Sequence, residues 1–468
     1  MRFLSTDVLA PTLIALIGCV FLSDWLTIGR SVDRQLREPG QDHVQTGQRA
    51  STATVLQAQT PTVGRGKPAA VSGSWSGFRG DHRDAISTDS TSLASVWAAD
   101  GPPVLWSVPL GEGYAGPAIS NGRVFVLDYD QQQQCDTLRS LSLDDGAEIW
   151  HNSYPVQLTR NHGMSRTVPV LHKGHVLTLG PRCQLACWDQ ATGTCQWIMD
   201  LVQQFGTTVP RWYTGQCPLV ANDNVIVAPC GPQALLAAVD VATGKTVWQT
   251  ANPRNWKMTH SSIVTMRLGD RETFVYCADQ GIVGVDAEDG QLVWESTEWT
   301  EKFATSPSPV VLPGNRIFVS SGYDGAVGAK ILRIEQRDSQ YIVTVESTLA
   351  PAQFNAEQQT PILRDGHLFG VRKRGGGQLV CMNLDGEPLW DSGNDRFGHG
   401  PFLFADGRLL LLDNNGTLTM ATASAEGYER LAQAVVLEDA HDAWGPMAVV
   451  AGRLLLRDMT KMVCVDLR

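Results

Sequence analysis

The sequence predicts an all-β fold: an eight-bladed β-propeller of four-stranded antiparallel blades, closed by an N-terminal strand. Three observations favour this fold. A hairpin motif recurs about every 45 residues, a second hairpin signal precedes each copy, and sustained helical periodicity is absent. Two hairpins make a four-stranded sheet, and a repeat of this length is typical of propeller blades. The alternative, a tandem array of β-sandwiches, is disfavoured.

The recurring motif is an alternating strand, an acidic turn that ends in glycine, and a second strand that ends in tryptophan. In one complete copy Asp240 opens the turn, Gly244 closes it and Trp248 ends the second strand. The aspartate accepts backbone hydrogen bonds, and the glycine takes a positive φ. The tryptophan, a large apolar body, is predicted to pack between adjacent sheets. The tryptophans of the motif are Trp106, Trp150, Trp197, Trp248, Trp294 and Trp390.

The hairpin upstream of each motif has a tight turn between two alternating apolar runs. Its clearest copies carry Asn121-Gly122, Asp365-Gly366 and Asp406-Gly407, dipeptides that are strong signals for a two-residue hairpin turn. Each blade is therefore predicted to consist of this hairpin followed by the tryptophan hairpin.

The spacing of the tryptophans gives the number of blades. The first five follow one another at 44, 47, 51 and 46 residues, and Trp390 follows after 96, which is two units. A degenerate copy without tryptophan, 331–347, fills that gap. The 78 residues after Trp390 suffice for one blade and three further strands. Residues 104–110 are predicted to supply the missing strand, which gives eight blades and hides the sheet edges.

Residues 1–29 are predicted to be a signal peptide or a membrane anchor. An uncharged apolar run spans 8–23, long for a signal-peptide core and short for a membrane span. Residues 16–19 resemble a lipoprotein cleavage box in which Cys19 would be lipidated, whereas the apolar residues that follow favour an uncleaved anchor. A retained anchor, a lipoprotein and a cleaved, secreted form all stay open. Each predicts an extracytoplasmic location, in the periplasm or cell envelope.

Two further divisions of the chain follow from composition. Residues 30–72 are rich in Gln, Thr, Ser, Pro and Gly and nearly lack aromatic residues, so they are predicted to be a flexible linker. Residues 73–468 are predicted to form the propeller. Within it, the spacing of the cysteines leaves two disulfides open, Cys187–Cys195 and Cys217–Cys230. No Cys/His spacing suggests a metal site.

The charge balance excludes nucleic acid as a partner. The chain has 37 basic and 48 acidic residues and a net charge of −11, whereas a duplex-binding protein needs a concentrated basic surface. The only dense basic triplet, 372–374, is predicted to be a solvated hairpin tip. The chain is expected to be a monomer.

The motif Asp-x-x-Thr-Gly-x-x-x-Trp resembles that of the PQQ-repeat, or quinoprotein-like, eight-bladed propellers. The segment 75–81 (Trp-Ser-Gly-Phe-Arg-Gly-Asp) is similar to the lead-in of exported PQQ-binding-like propellers of planctomycete-type bacteria. The resemblance covers about 75–468. It implies the fold but not one function, because the superfamily contains both PQQ dehydrogenases and non-catalytic scaffolds such as the BamB lipoprotein of outer-membrane assembly.

Residues just before the innermost strand of each blade are predicted to converge on the mouth of the axial channel. This set is aromatic and polar with few acids, and it suits a small anionic or sugar-like ligand. The alternative is a water-filled channel that is lined by mixed residues and binds no specific ligand. The predicted ligand funnel consists of Tyr114, Arg166, Trp212, Tyr213, His260, Thr305, Gln359, His399 and Trp444.

The resemblance allows a test of the catalytic alternative. A PQQ dehydrogenase would need a Ca²⁺ cage of carboxylates and amides with an aspartate base, and such enzymes often carry a disulfide between adjacent cysteines. Only Glu357, Asp442 and Asn355 are of suitable type near the funnel, and the sequence has no Cys-Cys pair. We therefore expect no cofactor and no metal, with PQQ and Ca²⁺ as the alternative. The favoured function is a non-catalytic binding or assembly scaffold for a protein partner or a small polar ligand; a PQQ-dependent dehydrogenase of alcohols or sugars, or another ligand-binding or hydrolytic role, stays open.

Overall fold

The fold is taken from a computed structural model, which describes residues 18, 22–23, 56–300, 305–323 and 327–468. Cys19, nearly all of the predicted anchor and the first part of the predicted linker lie outside these residues. Within them, no helix is both long and apolar enough to cross a membrane. The predicted propeller is confirmed, since eight antiparallel sheets follow one another along the chain.

Three strands precede the first complete blade: β1 (Thr62–Val63), β2 (Ser74–Trp75) and β3 (Val104–Pro109). Blades 1 and 2 consist of β4 (Ala118–Ser120), β5 (Arg123–Asp130), β6 (Cys135–Ser142) and β7 (Glu148–Pro155), and of β8 (Val170–His172), β9 (His175–Leu179), β10 (Gln184–Asp189) and β11 (Cys195–Asp200). A short helix, α1 (Leu201–Phe205), follows. Blades 3 and 4 consist of β12 (Leu219–Ala221), β13 (Asn224–Val227), β14 (Ala237–Asp240) and β15 (Thr246–Gln249), and of β16 (Val264–Leu268), β17 (Arg271–Ala278), β18 (Gly281–Asp286) and β19 (Leu292–Ser296).

The second half of the propeller repeats this plan. Blades 5 and 6 consist of β20 (Val310–Leu312), β21 (Arg316–Ser321), β22 (Gly328–Arg337) and β23 (Gln340–Leu349), and of β24 (Ile362–Arg364), β25 (His367–Arg372), β26 (Gln378–Met382) and β27 (Pro388–Asp391). A four-residue helical turn, α2 (Arg374–Gly377), separates β25 from β26. Blades 7 and 8 consist of β28 (Phe402–Ala405), β29 (Arg408–Leu412), β30 (Thr417–Ala423) and β31 (Tyr428–Val435), and of β32 (Ala448–Val450), β33 (Arg453–Arg457) and β34 (Lys461–Asp466).

The eighth blade takes its fourth strand from the N-terminal side, as predicted. β3 pairs antiparallel with β34, and Trp106 lies opposite Cys464. The segment that precedes blade 1 thereby completes blade 8 through a ladder of backbone hydrogen bonds. This closure leaves β34 with a partner on both sides.

The repeat tryptophans lie on the outermost strands, against the turn of the following blade. A Cβ atom added at Gly290 would approach the ring of Trp248 to 2.3 Å, and one added at Gly193 would approach Trp150 to 2.5 Å. These turn glycines also have φ near +75°, which favours glycine. In the degenerate blade 5, the strand register places Ser347 at the tryptophan position. Leu349, two residues farther along β23, lies against the turn glycine of blade 6.

A segment that precedes the blades fills much of the axial channel. We call residues 74–94 the channel plug. Its strand β2 pairs with the innermost strand of blade 1, where Trp75 lies opposite Ile119. Farther along, Phe404 of blade 7 exchanges backbone hydrogen bonds with the plug at Ala85 and Ser87. The family-like lead-in therefore enters the channel as an inserted loop whose two arms pair with different blades.

Both ends of the channel plug lie at one face of the propeller. On the entering side, the amide of Ala69 donates to the carbonyl of Gly122, in the first turn of blade 1. On the leaving side, Asp89 accepts a hydrogen bond from the amide of Ala451, in the equivalent turn of blade 8. Between them, the guanidinium of Arg79 donates to the carbonyls of residues 360 and 361, which directly precede β24 at the opposite end of the channel.

A chain of side-chain hydrogen bonds joins blades 2 to 6 around the channel. We call it the inter-blade belt. At the same position in each blade, two residues before the innermost strand, a backbone N–H donates to the side chain of the next blade. The four bonds run from Val168 to Cys217 Sγ (3.3 Å), Cys217 to Ser262 Oγ (3.0 Å), Ser262 to Ser308 Oγ (3.1 Å) and Ser308 to Thr360 Oγ1 (2.8 Å).

The part of the predicted linker that the structure describes lies along blade 1. Thr62 and Val63 pair with the outermost strand β7, opposite His151 and Trp150. Ala69 is buried. Residues 62–69 thus add a strand to the edge of blade 1, a contact that their polar composition does not predict.

Neither of the two disulfides that the spacing left open is formed: the nine cysteines among the described residues are all free thiols. In the register of β10 and β11, Cys187 lies opposite Trp197 and Cys195 lies opposite Trp188. Cys217 belongs to the inter-blade belt, whereas Cys230 lies beyond the end of β13, so the register of blade 3 does not place them opposite each other. Symmetric spacing about a turn failed as a guide because the exact register decides the geometry.

Candidate functional site

The predicted funnel residues do lie at one end of the channel, and four of them form a continuous stack. The guanidinium carbon of Arg166 lies 5.3 Å from the ring centroid of Tyr114. The Tyr114 ring stacks on Trp444 at 5.2 Å, and the Trp444 ring meets His399 edge-on at 4.9 Å. This stack crosses blades 2, 1, 8 and 7 in turn.

Arg166 is less available to a ligand than its position suggests. Its Nε donates to the carbonyl of Trp212 at 2.6 Å, and its Nη2 donates to the carbonyls of Asn161 (2.8 Å) and His162 (2.9 Å). Burial lowers the pKa of the guanidinium, and its charge faces the π-face of Tyr114. Arg166 therefore serves chiefly to tie the loop before blade 2 to the loop before blade 3.

On the opposite side of the mouth, His260 connects blades 3, 4 and 5. Its Nε2 bonds the carbonyl of Tyr213 at 2.9 Å, and its backbone N–H donates to the carbonyl of Thr305 at 3.0 Å. Desolvation by burial, followed by repulsion from Arg166, lowers the pKa of His260 to about 4. The imidazole is therefore neutral near pH 7 and offers no positive charge to an anion.

Gln359 completes the ring of contacts between blades 6 and 7. Its Nε2 donates to the carbonyls of Gly398 and Gly400, each at 3.0 Å. The nine predicted residues are thus brought together, and most of their polar atoms join one blade to the next. The ring is aromatic and rigid, with little unpaired charge.

The mouth also contains an ion-pair cluster that the sequence interpretation missed. The Glu357 carboxylate is bonded on one oxygen by Lys373 Nζ and on the other by His399 Nε2. Burial alone would raise the pKa of Glu357, but these two partners hold it below its usual value. Lys373 belongs to the basic triplet expected at a solvated hairpin tip. It lies at the mouth instead, because β25 ends there, and strand direction could have revealed this.

Several polar atoms at the mouth are buried and make no hydrogen bond to a described residue. They are Tyr114 Oη, Ser261 Oγ, Thr305 Oγ1, Asn355 Oδ1 and His399 Nδ1. Because unpaired buried polar groups are costly, these atoms are suited to contact water or a ligand. They are hydroxyl, amide and imidazole groups, typical of a site for a neutral or weakly charged polar molecule.

Below this ring, the mouth ends in a cavity of about 80 Å³ whose floor is the channel plug. Trp75, Phe78 and Arg79 form the floor, and His399 and Trp444 lie on the walls. The plug makes the mouth a blind recess on this side. A site here accepts a small group and not a bulky one.

The donor set does not fit PQQ with Ca²⁺. Among the described residues, no group of three or more His, Cys, Asp or Glu is placed to hold a metal ion. Glu357, a buried acid at the mouth, is already paired with Lys373 and His399, and Asn355 adds only one amide oxygen toward a Ca²⁺ cage. PQQ brings three carboxylates, whereas Arg166 is engaged by carbonyls and Lys373 by Glu357.

Comparison with known proteins agrees with this architecture. The family model PQQ_2, described as outer membrane protein assembly factor BamB, matches residues 134–384, more than half of the chain. No curated protein sequence matches the chain significantly.

Solved structures share the fold at low sequence identity. BamB from Moraxella catarrhalis is 15% identical, with a TM-score of 0.52 over 78% of this chain and 99% of its own. A europium-containing methanol dehydrogenase is 12% identical, with a TM-score of 0.59 over 82% and 89% of the two chains. At this identity the likenesses show the propeller alone. The family match and the eight described blades together establish that the chain belongs to the PQQ_2 family of BamB-like propellers.

Proposed function

We propose that this protein is a non-catalytic scaffold of the cell envelope that holds a protein partner on a rigid propeller. The observation that carries the proposal is that charged and polar groups at the channel mouth are already bonded to one another and to neighbouring blades. The buried carboxylate of Glu357 is paired with Lys373 and His399, so it is ill suited to act as a base or a metal ligand. Groups that would have to bind a substrate instead fasten neighbouring blades together.

A surface groove supports a binding role. It has a volume of about 440 Å³ and lies between residues 94–103 and the outer strand of blade 8. Val96 is 70% exposed and Val104 is 51% exposed, and two prolines extend the apolar lining. Apolar surface of this kind, next to the free edge of β3, is typical of a site where another protein docks.

The location is proposed on two grounds. The apolar run at 8–23 has the composition of an export signal or anchor. The family is described as an outer membrane assembly factor. Both favour a site of action outside the cytoplasm, with the propeller facing the envelope.

The catalytic alternative is tested with the cofactor itself. The purified chain, supplied with Ca²⁺ and PQQ, should show no stoichiometric binding in calorimetry. It should also not reduce an artificial electron acceptor with alcohols or sugars. Tight binding that is lost in Arg166→Ala but kept in the exposed control Arg374→Ala would overturn the scaffold proposal and favour a PQQ dehydrogenase.

The scaffold role is tested by placing a photo-crosslinking amino acid at Val96 in the source cells. The matched control carries it at Val247, which is 54% exposed on the outer strand of blade 3. We expect a discrete protein adduct at Val96 only. The same adducts at both positions, or none at Val96, would contradict docking at this groove.

A further inference from the structure

A second cavity lies deeper in the channel, separate from the mouth. It has a volume of about 310 Å³ and lies between the channel plug and the innermost strands of blades 4 and 5. It follows these strands from Ser262 and Ser308, in the inter-blade belt, to Thr265 and Val311. The channel plug fills the side of blades 1, 7 and 8 and leaves this side open.

The walls of the cavity are largely apolar. Their half-buried members are Phe78, Val264, Val311 and Leu363. The charged side chains come from the tip of the channel plug, where Arg79, Arg83 and Asp84 line the cavity together with His82. The cavity is thus an apolar slot with a basic end.

The guanidinium of Arg83 has one nitrogen without a hydrogen-bond acceptor among the residues that the structure describes. Its Nη1 donates to the carbonyl of Pro218 at 3.2 Å. Its Nη2 is occluded from solvent and makes no hydrogen bond to any residue that the structure describes. Desolvation lowers the pKa of Arg83 to about 10, so the side chain is still a cation near neutral pH. An occluded cation without a carboxylate partner is costly, and an anion beside it would offset the cost.

The neighbouring charged groups do not neutralise the Arg83 guanidinium. The Arg79 guanidinium donates hydrogen bonds to four backbone carbonyls, those of residues 83, 84, 360 and 361. Asp84, the one acid of the channel plug that lines the cavity, accepts a hydrogen bond from the amide of Ile86 on its Oδ1. Asp81 does not line the cavity and is bonded by the Ser74 hydroxyl and the Ser76 amide. Two arginines therefore face one carboxylate, and the basic end carries a net positive charge.

The backbone of the plug tip is held in a strained form that presents Arg83. Arg79, Arg83 and Ala85 have φ values of 65°, 60° and 63°, in the left-handed region that residues with a side chain seldom adopt. Arg79 Nε fixes the tip by bonding the carbonyl of Arg83 at 3.1 Å. Strain of this kind concentrates at binding sites, where the surrounding structure maintains it.

We propose that this cavity binds an aliphatic carboxylate, with its carboxylate at the Arg83 guanidinium and its chain along Val264 and Val311. A carboxylate beside this guanidinium forms charge-assisted hydrogen bonds and offsets its unpaired charge. The aliphatic chain removes half-buried apolar surface from water. The site is independent of the channel mouth and does not require the proposed scaffold function.

The first test is calorimetry on the full chain with acetate, butanoate, hexanoate and octanoate. Affinity should rise roughly fourfold for each added methylene until the cavity is filled. Arg83→Gln should weaken hexanoate binding by about tenfold or more. Arg374→Gln, an exposed control, and Arg166→Ala, at the mouth, should bind like the parent. Hexanoate that binds no tighter than acetate or inorganic phosphate, or that binds Arg83→Gln normally, would overturn the proposal.

A second variant keeps the test valid if Arg83→Gln fails to fold. Val311→Phe should narrow the apolar slot while it leaves Arg83 in place. We expect it to abolish the gain from acetate to octanoate and to leave acetate binding unchanged. A chain-length series in Val311→Phe that is identical to that of the parent would contradict the assignment of the slot.

Discussion

Replacing Asp136 by asparagine should remove a decline in stability between about pH 4 and pH 7. Asp136 is fully buried on β6, where Tyr154 Oη donates to its Oδ2 at 2.5 Å and Ser165 Oγ approaches its Oδ1 at 3.4 Å. The structure describes no ion pair that this carboxyl group makes. Desolvation raises its pKa from 3.8 to about 7, although the two hydroxyl donors oppose the rise.

The sign of the effect follows from the proton that the folded state retains. Below about pH 4 the carboxyl group is neutral in both states, and its contribution is fully present. As the pH rises to 7, the unfolded chain loses the proton more easily, so stability declines. A displacement of the pKa by about three units corresponds to roughly 4 kcal/mol, because each unit is about 1.4 kcal/mol. The amide that replaces the carboxyl group is neutral at every pH and can still accept the hydrogen bond of Tyr154.

The assay is urea denaturation of the parent and Asp136→Asn from pH 4 to pH 8.5, with a check that the m-value is constant. The variant should equal the parent or be slightly less stable near pH 4 and should be more stable by several kcal/mol above pH 7. Asp145→Asn, at an exposed turn, is the matched control and should follow the parent. If the difference between Asp136→Asn and the parent did not change with pH, the reasoning about the buried carboxyl group would be refuted.

Two further predictions concern closure and packing. A chain without residues 1–112 lacks β3 and should aggregate, since the three remaining strands of blade 8 lose their partner strand, whereas a chain without residues 1–55 should fold normally. Analytical ultracentrifugation and calorimetry are the assays. A soluble, cooperatively folding product of the longer deletion would contradict closure by β3. Trp248→Ala should lower the free energy of unfolding by on the order of 3–5 kcal/mol, because the Trp248 ring lies against Gly290 and stacks on Phe274 at 6.1 Å. Denaturant titration measures this loss. An unchanged denaturation midpoint would show that this packing contributes little.

The blades and their closure could be predicted because both depend on local patterns that repeat. Each turn glycine and each tryptophan strand is marked within about ten residues, and the count of strands after Trp390 leaves one strand missing. The positions at the channel mouth could also be predicted, since they have a fixed offset from the innermost strands. These inferences require only the repeat and the direction of the strands.

The channel plug could not be predicted because its contacts are far apart in the sequence. Arg79 bonds carbonyls about 281 residues away, and Asp89 bonds an amide 362 residues away. The pairing of Glu357 with Lys373 was missed for a similar reason: each residue looks solvated in its own segment, and only the assembled mouth buries Glu357 and brings Lys373 to its carboxylate. The two disulfides that the spacing left open do not form, because symmetric spacing about a turn does not fix the register, which places Cys187 opposite Trp197.

The position of the channel plug has a consequence for biosynthesis. The plug is made first, but its partners in blades 7 and 8 are made last, up to 362 residues later. At about 5–20 residues per second, that delay is roughly 20 to 70 seconds. During this time the channel is incomplete, and the side chains of Trp75 and Phe78 stay exposed to solvent on the growing chain. The propeller then assembles around the channel plug, so the final step of folding is the one that buries a segment made before any complete blade.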